Sequence, residues 1–146
     1  MNWHKEDYTI STDKTTLSLG YIHQYLSEQS YWAKGIPLPT VKRSIENSIC
    51  FGVYKGAQMV GFARVITDCA TFGYLADVFI DEAYRGQGLS KWLMEVILSH
   101  PDLQSLRRFM LATHDAHGLY RQFNFTELNN PEYMLAIVKS DLYKKK

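Results

Sequence analysis

The residues with the clearest chemical potential lie just past the middle of the chain. An apolar run ends at residue 80, a short turn follows, and Arg85-Gly86-Gln87-Gly88-Leu89-Ser90 leads into an amphipathic stretch. Glycine at the start of a helix leaves backbone N–H groups open to a ligand. The helix dipole adds partial positive charge at the same place. The pattern therefore predicts a phosphate site, most naturally one for a pyrophosphate.

Two widespread phosphate loops do not fit these residues. A P-loop requires G-x-x-x-x-G-K-[ST], which residues 86–91 do not supply. A dinucleotide-binding loop requires G-x-G-x-x-G inside a βαβ unit, whereas Lys91 stands in the third glycine place and the strands before the loop form a hairpin. Nucleotide binding of either kind is therefore disfavoured.

Hydrophobic periodicity places the loop between a strand and a helix in a mixed sheet. One domain is expected for a chain of 146 residues, with an α+β fold and helices on both faces of the sheet. The predicted strands cover residues 8–11, 49–54, 58–66, 72–80, 108–113 and 134–138, and the predicted helices cover residues 14–27, 40–47, 88–100 and 115–123.

Finer features of these elements are also predicted. Asp13, Thr40 and Asp115 are candidate helix caps, and Asn124 can adopt the left-handed conformation that ends a helix. In residues 72–80 simple alternation puts the even-numbered side chains on one apolar face and Leu75, Asp77 and Phe79 on the other.

Composition narrows the class of partner. The formal net charge of +1 argues against a nucleic-acid partner, and no apolar stretch could span a membrane or serve as a signal peptide. A cytoplasmic location is the resulting expectation.

Cys50 and Cys69 read as small core residues rather than a disulfide framework, and no metal site is expected.

Two motifs resemble the GNAT superfamily of acetyl-CoA-dependent N-acetyltransferases. The run from Arg85 to Ser90 is similar to the family signature Gln/Arg-x-x-Gly-x-Gly/Ala, with Ser90 in the last small position. Leu119-Tyr120-Arg121-Gln122-Phe123-Asn124-Phe125 resembles the family's Tyr-x-x-x-Gly-Phe, with Asn124 where glycine is usual. The resemblance covers residues 49–125. It implies a mostly antiparallel sheet of about six or seven strands with one splayed parallel pair.

The resemblance also implies how acetyl-CoA binds. The backbone N–H groups of Arg85, Gly86, Gln87, Gly88, Leu89 and Ser90 are expected to hold the pyrophosphate. The Arg85 side chain is expected either to pair with a phosphate or to stay solvated. The pantetheine arm is expected to run along the backbone of Val78, Phe79 and Ile80.

Acetyl transfer needs an acid, a base and an acceptor pocket. A thiolate leaving group requires a proton, and Tyr120 matches the family's tyrosine in that role. A lysine-like amine, with a pKa of about 10.4, must lose a proton before attack. Asp77 is the candidate for base or ammonium binding, with an alternative role as a structural carboxylate.

Candidate acceptor residues come from variable parts of the chain. Tyr31 and Trp32 lie on a proline-containing loop and are expected to wall the pocket, while His114 follows a strand end. Arg64 could bind an acceptor carboxylate, with an ion pair to Asp68 as the alternative.

The predicted function is transfer of the acetyl group of acetyl-CoA to a primary amine of a small molecule, by direct attack in a ternary complex. The alternatives are a peptide or protein acceptor, or a non-catalytic acyl-CoA sensor on the same fold. No nucleic-acid or membrane partner is expected. The resemblance further implies a homodimer paired through a sheet edge or a C-terminal strand.

Overall fold

The computed structural model of the protein describes residues 1–144 as one six-stranded sheet with helices on both faces. Neighbouring strands are antiparallel, except that the last two are parallel. The helices and strands are β1 (Asn2–Lys5), β2 (Tyr8–Ser11), α1 (Leu19–Gln24), α2 (Leu38–Glu46), β3 (Ile49–Lys55), β4 (Gln58–Thr67), β5 (Phe72–Ile80), α3 (Leu89–Ser99), β6 (Arg108–Leu111) and α4 (His117–Arg121). The mixed α+β fold is thus confirmed.

Each face of the sheet carries its own apolar core. On one face α3 and Tyr120 pack against the sheet through side chains that include Leu93 and Ile97, both fully buried. On the other face α1 and α2 pack through side chains that include Ile22 and Val41. Burial of apolar surface on both faces is the main stabilising term for such a sandwich, and it fixes the sheet as a rigid support.

The parallel strands β5 and β6 pair only at one end. Their register runs from Phe72 opposite Arg108 to Leu75 opposite Leu111, although β5 continues to Ile80. In the described chain no strand pairs with residues 76–80 on the β6 side. The two strands therefore diverge, which confirms the splayed pair and opens a gap in the sheet.

A bulge sits in β5 at this gap. Between the pairs Phe62–Phe79 and Arg64–Ala76, β4 advances two residues while β5 advances three. The extra residue leaves Asp77 with a φ of +55°, a conformation that costs energy for a residue with a Cβ. Bulges re-aim side chains and are frequent beside functional sites.

The bulge corrects the expected alternation of side chains along β5. Leu75 packs in the same core as Ile80, on the α3 face, while Phe79 packs on the α1 face. The prediction that Leu75 shares a face with Phe79 is therefore wrong, because one extra residue reverses the alternation.

The N-terminal helices also differ from expectation. The helix predicted for residues 14–27 is broken into a 3₁₀ turn at Lys14–Thr16 capped by Asp13, α1 capped by Ser18, and a π turn at Tyr25–Gln29. The hydroxyl and carboxylate groups of residues 13–16 bond locally and compete with the helix. Thr40 caps nothing, because α2 begins at Leu38 with Pro39 in its first turn. Strand β1 was not predicted.

The C-terminal part shows a larger departure. Residues 134–138, predicted as a strand, pair with no other strand of the described chain. Asp115 does not cap α4, since the cap residue is Ala116, whose N–H donates to the Thr113 hydroxyl. Asn124 does adopt the predicted left-handed conformation, with a φ of +70°.

Two smaller expectations concern the cysteines and the membrane. Cys50 is buried as predicted, but Cys69 is exposed on the β4–β5 connection, and both are free thiols. Within residues 1–144, no helix has the length and apolar character needed to cross a bilayer.

Candidate active site

The glycine loop presents a row of free backbone donors. Gly86 and Gly88 have φ values of +80° and +79°, which glycine adopts without strain. In the described chain the N–H groups of residues 86–90 donate to no other residue, whereas the N–H of Arg85 is taken by the carbonyl of Glu82. Five of the six predicted amides are therefore free at the start of α3, where an anion is stabilised.

Side chains hold this loop from behind. Arg85 folds back, donating from Nε to the carbonyl oxygen of Ile80 and from Nη2 to the Tyr25 hydroxyl, both at 3.0 Å. The Tyr8 hydroxyl donates to Oε1 of Gln87 at 2.8 Å. The Arg85 side chain thus ties the loop to the end of β5 and to Tyr25, while the residue itself stays exposed.

A cavity of about 580 Å³ fills the gap between β5 and β6. Residues 74–78 form one wall and residues 111–116 form the other, while Tyr31, Trp32, Arg64 and Tyr120 complete the lining. All five predicted acceptor residues (Tyr31, Trp32, Arg64, Asp77 and His114) line this cavity together with Tyr120. Val78 also reaches it, whereas the Phe79 ring is turned away and stacks on Tyr25 with centroids 3.8 Å apart.

Tyr120 contributes its phenol to the wall of this cavity. Its side chain is buried and packs edge-on against Phe125, with ring centroids 6.0 Å apart. Burial, followed by the nearby Tyr31 and Asp115, raises the pKa of Tyr120 to about 12. The phenol therefore stays protonated across the physiological range, as a proton donor must.

Asp77 is engaged through both carboxylate oxygens. Its Oδ2 accepts from Nε of Arg64 at 2.5 Å, and its Oδ1 accepts from Nε1 of Trp32 at 2.8 Å. Arg64 also donates from Nη1 to the Ser48 hydroxyl at 3.2 Å. The ion pair is largely shielded, since the two side chains are 16% and 8% exposed. The carboxylate that the bulge turns out of the sheet thus joins the loop of Trp32 to β4.

The same loop also reaches the other strand. The backbone N–H of His114 donates to the Tyr31 hydroxyl at 2.9 Å, and the two rings lie 5.5 Å apart. Tyr31 and Trp32 contact each other edge-to-face at 5.0 Å. Residues 31–32 therefore bridge the gap, with Trp32 bound to β5 and Tyr31 bound to the segment after β6.

Sequence reasoning missed or misread several cavity groups. Asp115, expected to cap a helix, is exposed at the cavity rim and accepts no hydrogen bond from another described residue. Ser48, which lies just after α2, accepts a hydrogen bond from Arg64. The alternative pairing of Arg64 with Asp68 is wrong, because Asp68 accepts from the backbone of residues 70–72 instead. Local signals identify a capping residue type but not the partner it meets in the fold.

Across residues 1–144, no group of three or more His, Cys, Asp and Glu side chains is arranged to hold a metal ion.

Sequence comparison decides the family. Residues 46–127, more than half of the chain, match the model of the acetyltransferase (GNAT) domain. The chain belongs to the GNAT acetyltransferase family. A protein of Gibberella zeae is 33% identical to this chain over 141 residues and is named as an inferred acetyltransferase. The matched region covers 82% of this chain and 78% of the Gibberella zeae protein.

Solved structures agree with this GNAT assignment. A GNAT-family protein of Xanthomonas campestris pv. campestris, also described as an inferred acetyltransferase, is 48% identical with a TM-score of 0.93, covering 94% of this chain and 97% of its own. A GNAT acetyltransferase of Elizabethkingia anophelis, solved with acetyl-CoA bound, is only 11% identical and shares the fold alone, with a TM-score of 0.61. The alignment covers 82% of this chain and 76% of the Elizabethkingia anophelis chain.

Proposed function

We propose that this GNAT protein is an N-acetyltransferase that moves the acetyl group of acetyl-CoA to a primary amine of a small molecule, by direct attack in a ternary complex. One observation carries the proposal. The row of free amides at residues 86–90 follows the diverging end of β5, and the buried phenol of Tyr120 lines the cavity between β5 and β6. This is the arrangement expected if one ligand extends from a phosphate cradle to an acid.

The cofactor side of the proposal uses backbone groups. The N–H groups of residues 86–90 bind the pyrophosphate of acetyl-CoA, and Arg85 contributes by fixing the loop rather than by contacting phosphate. The unpaired edge of β5 at Val78, Phe79 and Ile80 offers N–H and C=O groups to the amides of the pantetheine arm. Neither role requires particular side chains.

The chemical step then involves the residues of the cavity. The neutral amine attacks the thioester carbonyl carbon, a C–N bond forms, and the C–S bond breaks. Tyr120 donates its phenolic proton to the departing thiolate, and the nitrogen releases a proton to a base or to water. A phenol with a pKa of about 12 is fully protonated when the thiolate leaves.

The role of Asp77 as base stays a prediction, and its contacts favour a positioning role. Both of its oxygens accept hydrogen bonds, one from the guanidinium of Arg64. Asp115 and His114 are the other ionisable groups proposed to meet the acceptor ammonium, since both line the cavity. The aromatic faces of Tyr31 and Trp32 complete a pocket suited to an amine with an apolar body.

The test is release of CoA from acetyl-CoA in the presence of a panel of primary amines. Tyr120→Phe should lower kcat by roughly 100-fold or more, the usual contribution of a general acid, with the Kd for acetyl-CoA unchanged. A non-catalytic sensor would bind acetyl-CoA but release no CoA with any amine. Equal small effects of Tyr120→Phe on kcat and Kd would overturn the assignment of the acid.

A further inference from the structure

Few charged side chains line the cavity between β5 and β6. Among the described residues of its wall, Arg64 is the only Lys or Arg, and Asp77 and Asp115 are the only acidic residues. His114 also lines the cavity, with its ring packed against Tyr31. The charge that an acceptor meets is therefore set mainly by one guanidinium and two carboxylates, whose contacts can be followed one by one.

The guanidinium of Arg64 is already engaged by the protein itself. Its Nε donates to Asp77 and its Nη1 donates to Ser48. A carboxylate binds a guanidinium bidentately through Nε with Nη2 or through Nη1 with Nη2, so each of these pairs contains an engaged atom. The Arg64 side chain is also only 16% exposed, and the Asp77 carboxylate cancels its charge. Arg64 is therefore a poor anchor for the carboxylate of an acceptor.

The carboxylate of Asp115 is not compensated in the same way. Asp115 is exposed at the cavity rim, and within residues 1–144 it forms no ion pair and accepts no hydrogen bond. It is also close enough to Tyr120 to contribute to the raised pKa of that phenol. With the charges of Arg64 and Asp77 cancelled, the cavity keeps the negative charge of Asp115, and that charge acts at the proposed acid.

The aromatic wall of the cavity favours the same sign of charge. Tyr31 and Trp32 pack edge-to-face at 5.0 Å and both line the cavity. The face of an aromatic ring attracts a cation and repels an anion. The indole N–H of Trp32 is also occupied, because it donates to Asp77 at 2.8 Å. The aromatic residues therefore offer apolar surface to the body of an amine, and the indole offers no free donor to a carboxylate.

We infer that the acceptor is a primary amine that carries no carboxylate, and that Asp115 together with the ion pair of Arg64 and Asp77 excludes free amino acids. This inference rests on the proposed acetyl transfer and narrows its substrate class. An amino acid would bring a second carboxylate to the negatively charged cavity, where no free cationic side chain among the described residues receives it. Like charges in a partly desolvated cavity repel strongly, and an unpaired charge is costly to bury.

The test compares acceptors that share one body: an amine, the corresponding amino acid and the amide of that amino acid. Suitable sets are 2-phenylethylamine with phenylalanine and phenylalaninamide, and isopentylamine with leucine and leucinamide. CoA release is measured at about pH 8.5, and each kcat/KM is corrected to the fraction of neutral amine. The amide has nearly the size of the carboxylate without its charge. We expect the amine and the amide to exceed the amino acid in kcat/KM by roughly tenfold or more.

The possible failures of this test are distinguishable. An amino acid that reacts as well as its amine would overturn the inference and leave the proposed acetyl transfer intact. An amide that is rejected as strongly as the amino acid would also overturn it, because the exclusion would then depend on size instead of charge. CoA release with none of the amines, amino acids and amides would contradict the proposed function, and the inference would be overturned with it.

Substitutions assign the exclusion to particular charges. Asp115→Asn should raise kcat/KM for phenylalanine relative to 2-phenylethylamine several-fold, and Asp115→Lys should raise this ratio further. Asp77→Asn should raise it by another route, since it frees the charge of Arg64 for a carboxylate. Glu95→Gln is the matched control, because it removes the same charge from an exposed position of α3 outside the cavity. A ratio that stays at the wild-type value in Asp115→Asn, Asp115→Lys and Asp77→Asn would overturn the inference.

Discussion

The two sides of the proposed site, the glycine loop and the acceptor cavity between β5 and β6, are built from the chain in different ways. The glycine-loop side consists of consecutive residues, 85–90, and offers backbone amides. The acceptor side consists of side chains brought together from distant segments, with Trp32, Arg64, Asp77 and His114 as its members. A backbone site depends on local dihedral angles, whereas a side-chain site depends on the whole fold. Substitutions on the two sides should therefore change different kinetic constants.

The largest effect is expected for Gly88→Val on the glycine-loop side. A β-branched residue is strained at a φ of +79°, so the loop should shift and lose charge-assisted hydrogen bonds of about 1.5–3 kcal/mol each. Loss of two such bonds weakens acetyl-CoA binding by about 100-fold or more. Isothermal titration calorimetry measures the Kd, and Gly20→Ala, in helix α1 with no atom near the added Cβ, is the control. An unchanged Kd would mean that the loop does not bind the cofactor.

The loop side was predictable because its information is local. The order of strand, turn, glycine pair and amphipathic helix specifies both the element boundary and the chemistry, and α3 begins within one residue of its predicted start. The acceptor side was predictable only as a set of candidates. No local pattern states that Asp77 bonds Trp32 across 45 positions, or that a bulge turns Asp77 into the left-handed region. The strand predicted at residues 134–138 failed for a related reason, since a strand requires a partner and the described chain supplies none.

The second prediction concerns the pH dependence of the reaction, which distinguishes the protonation of Tyr120 from the deprotonation of the acceptor amine. Burial holds the Tyr120 pKa at about 12, so the acid stays protonated as the pH rises, while an acceptor amine with a pKa near 10.4 becomes neutral. The value of kcat/KM for the amine should rise about tenfold per pH unit, or about 100-fold from pH 7 to pH 9. With an ordinary phenol, whose pKa is about 10, the profile would peak near pH 10 and fall above it. A fall in kcat/KM between pH 10 and pH 11 would contradict the role of a buried Tyr120.

On the acceptor side, Asp77→Asn should disturb the positions of the neighbouring side chains and not the proton transfer itself. Asparagine tolerates the left-handed conformation, but it removes the charge that holds Arg64 and Trp32. We expect the acceptor KM to rise about tenfold, the melting temperature to fall by several degrees because a shielded ion pair is broken, and the Kd for acetyl-CoA to stay unchanged.

Asp115→Asn is the comparison that sharpens this result. Asp115 is exposed and accepts no hydrogen bond within residues 1–144, so its substitution should leave the melting temperature unchanged.

If Asp77 is instead the base, Asp77→Asn should lower kcat far more than it raises KM and should alter the pH profile. That outcome would support Asp77 as the catalytic base and contradict its assignment as a positioning residue.

A smaller effect is expected for Trp32→Phe. The change keeps an aromatic wall but removes the Nε1–H that donates to Asp77 at 2.8 Å. Because Trp32 is 41% exposed, water replaces part of the lost bond, and we expect the acceptor KM to rise only about fivefold, equivalent to roughly 1 kcal/mol. Both kcat and the KM for acetyl-CoA should stay within about twofold, since the glycine loop and Tyr120 are untouched.

Tyr31→Phe is the matched variant, because the Tyr31 hydroxyl accepts from the backbone N–H of His114 instead of donating to a carboxylate. Its effect should be smaller still, and a larger effect on kcat than on the acceptor KM for either variant would mean that residues 31–32 take part in the chemical step instead of shaping the pocket.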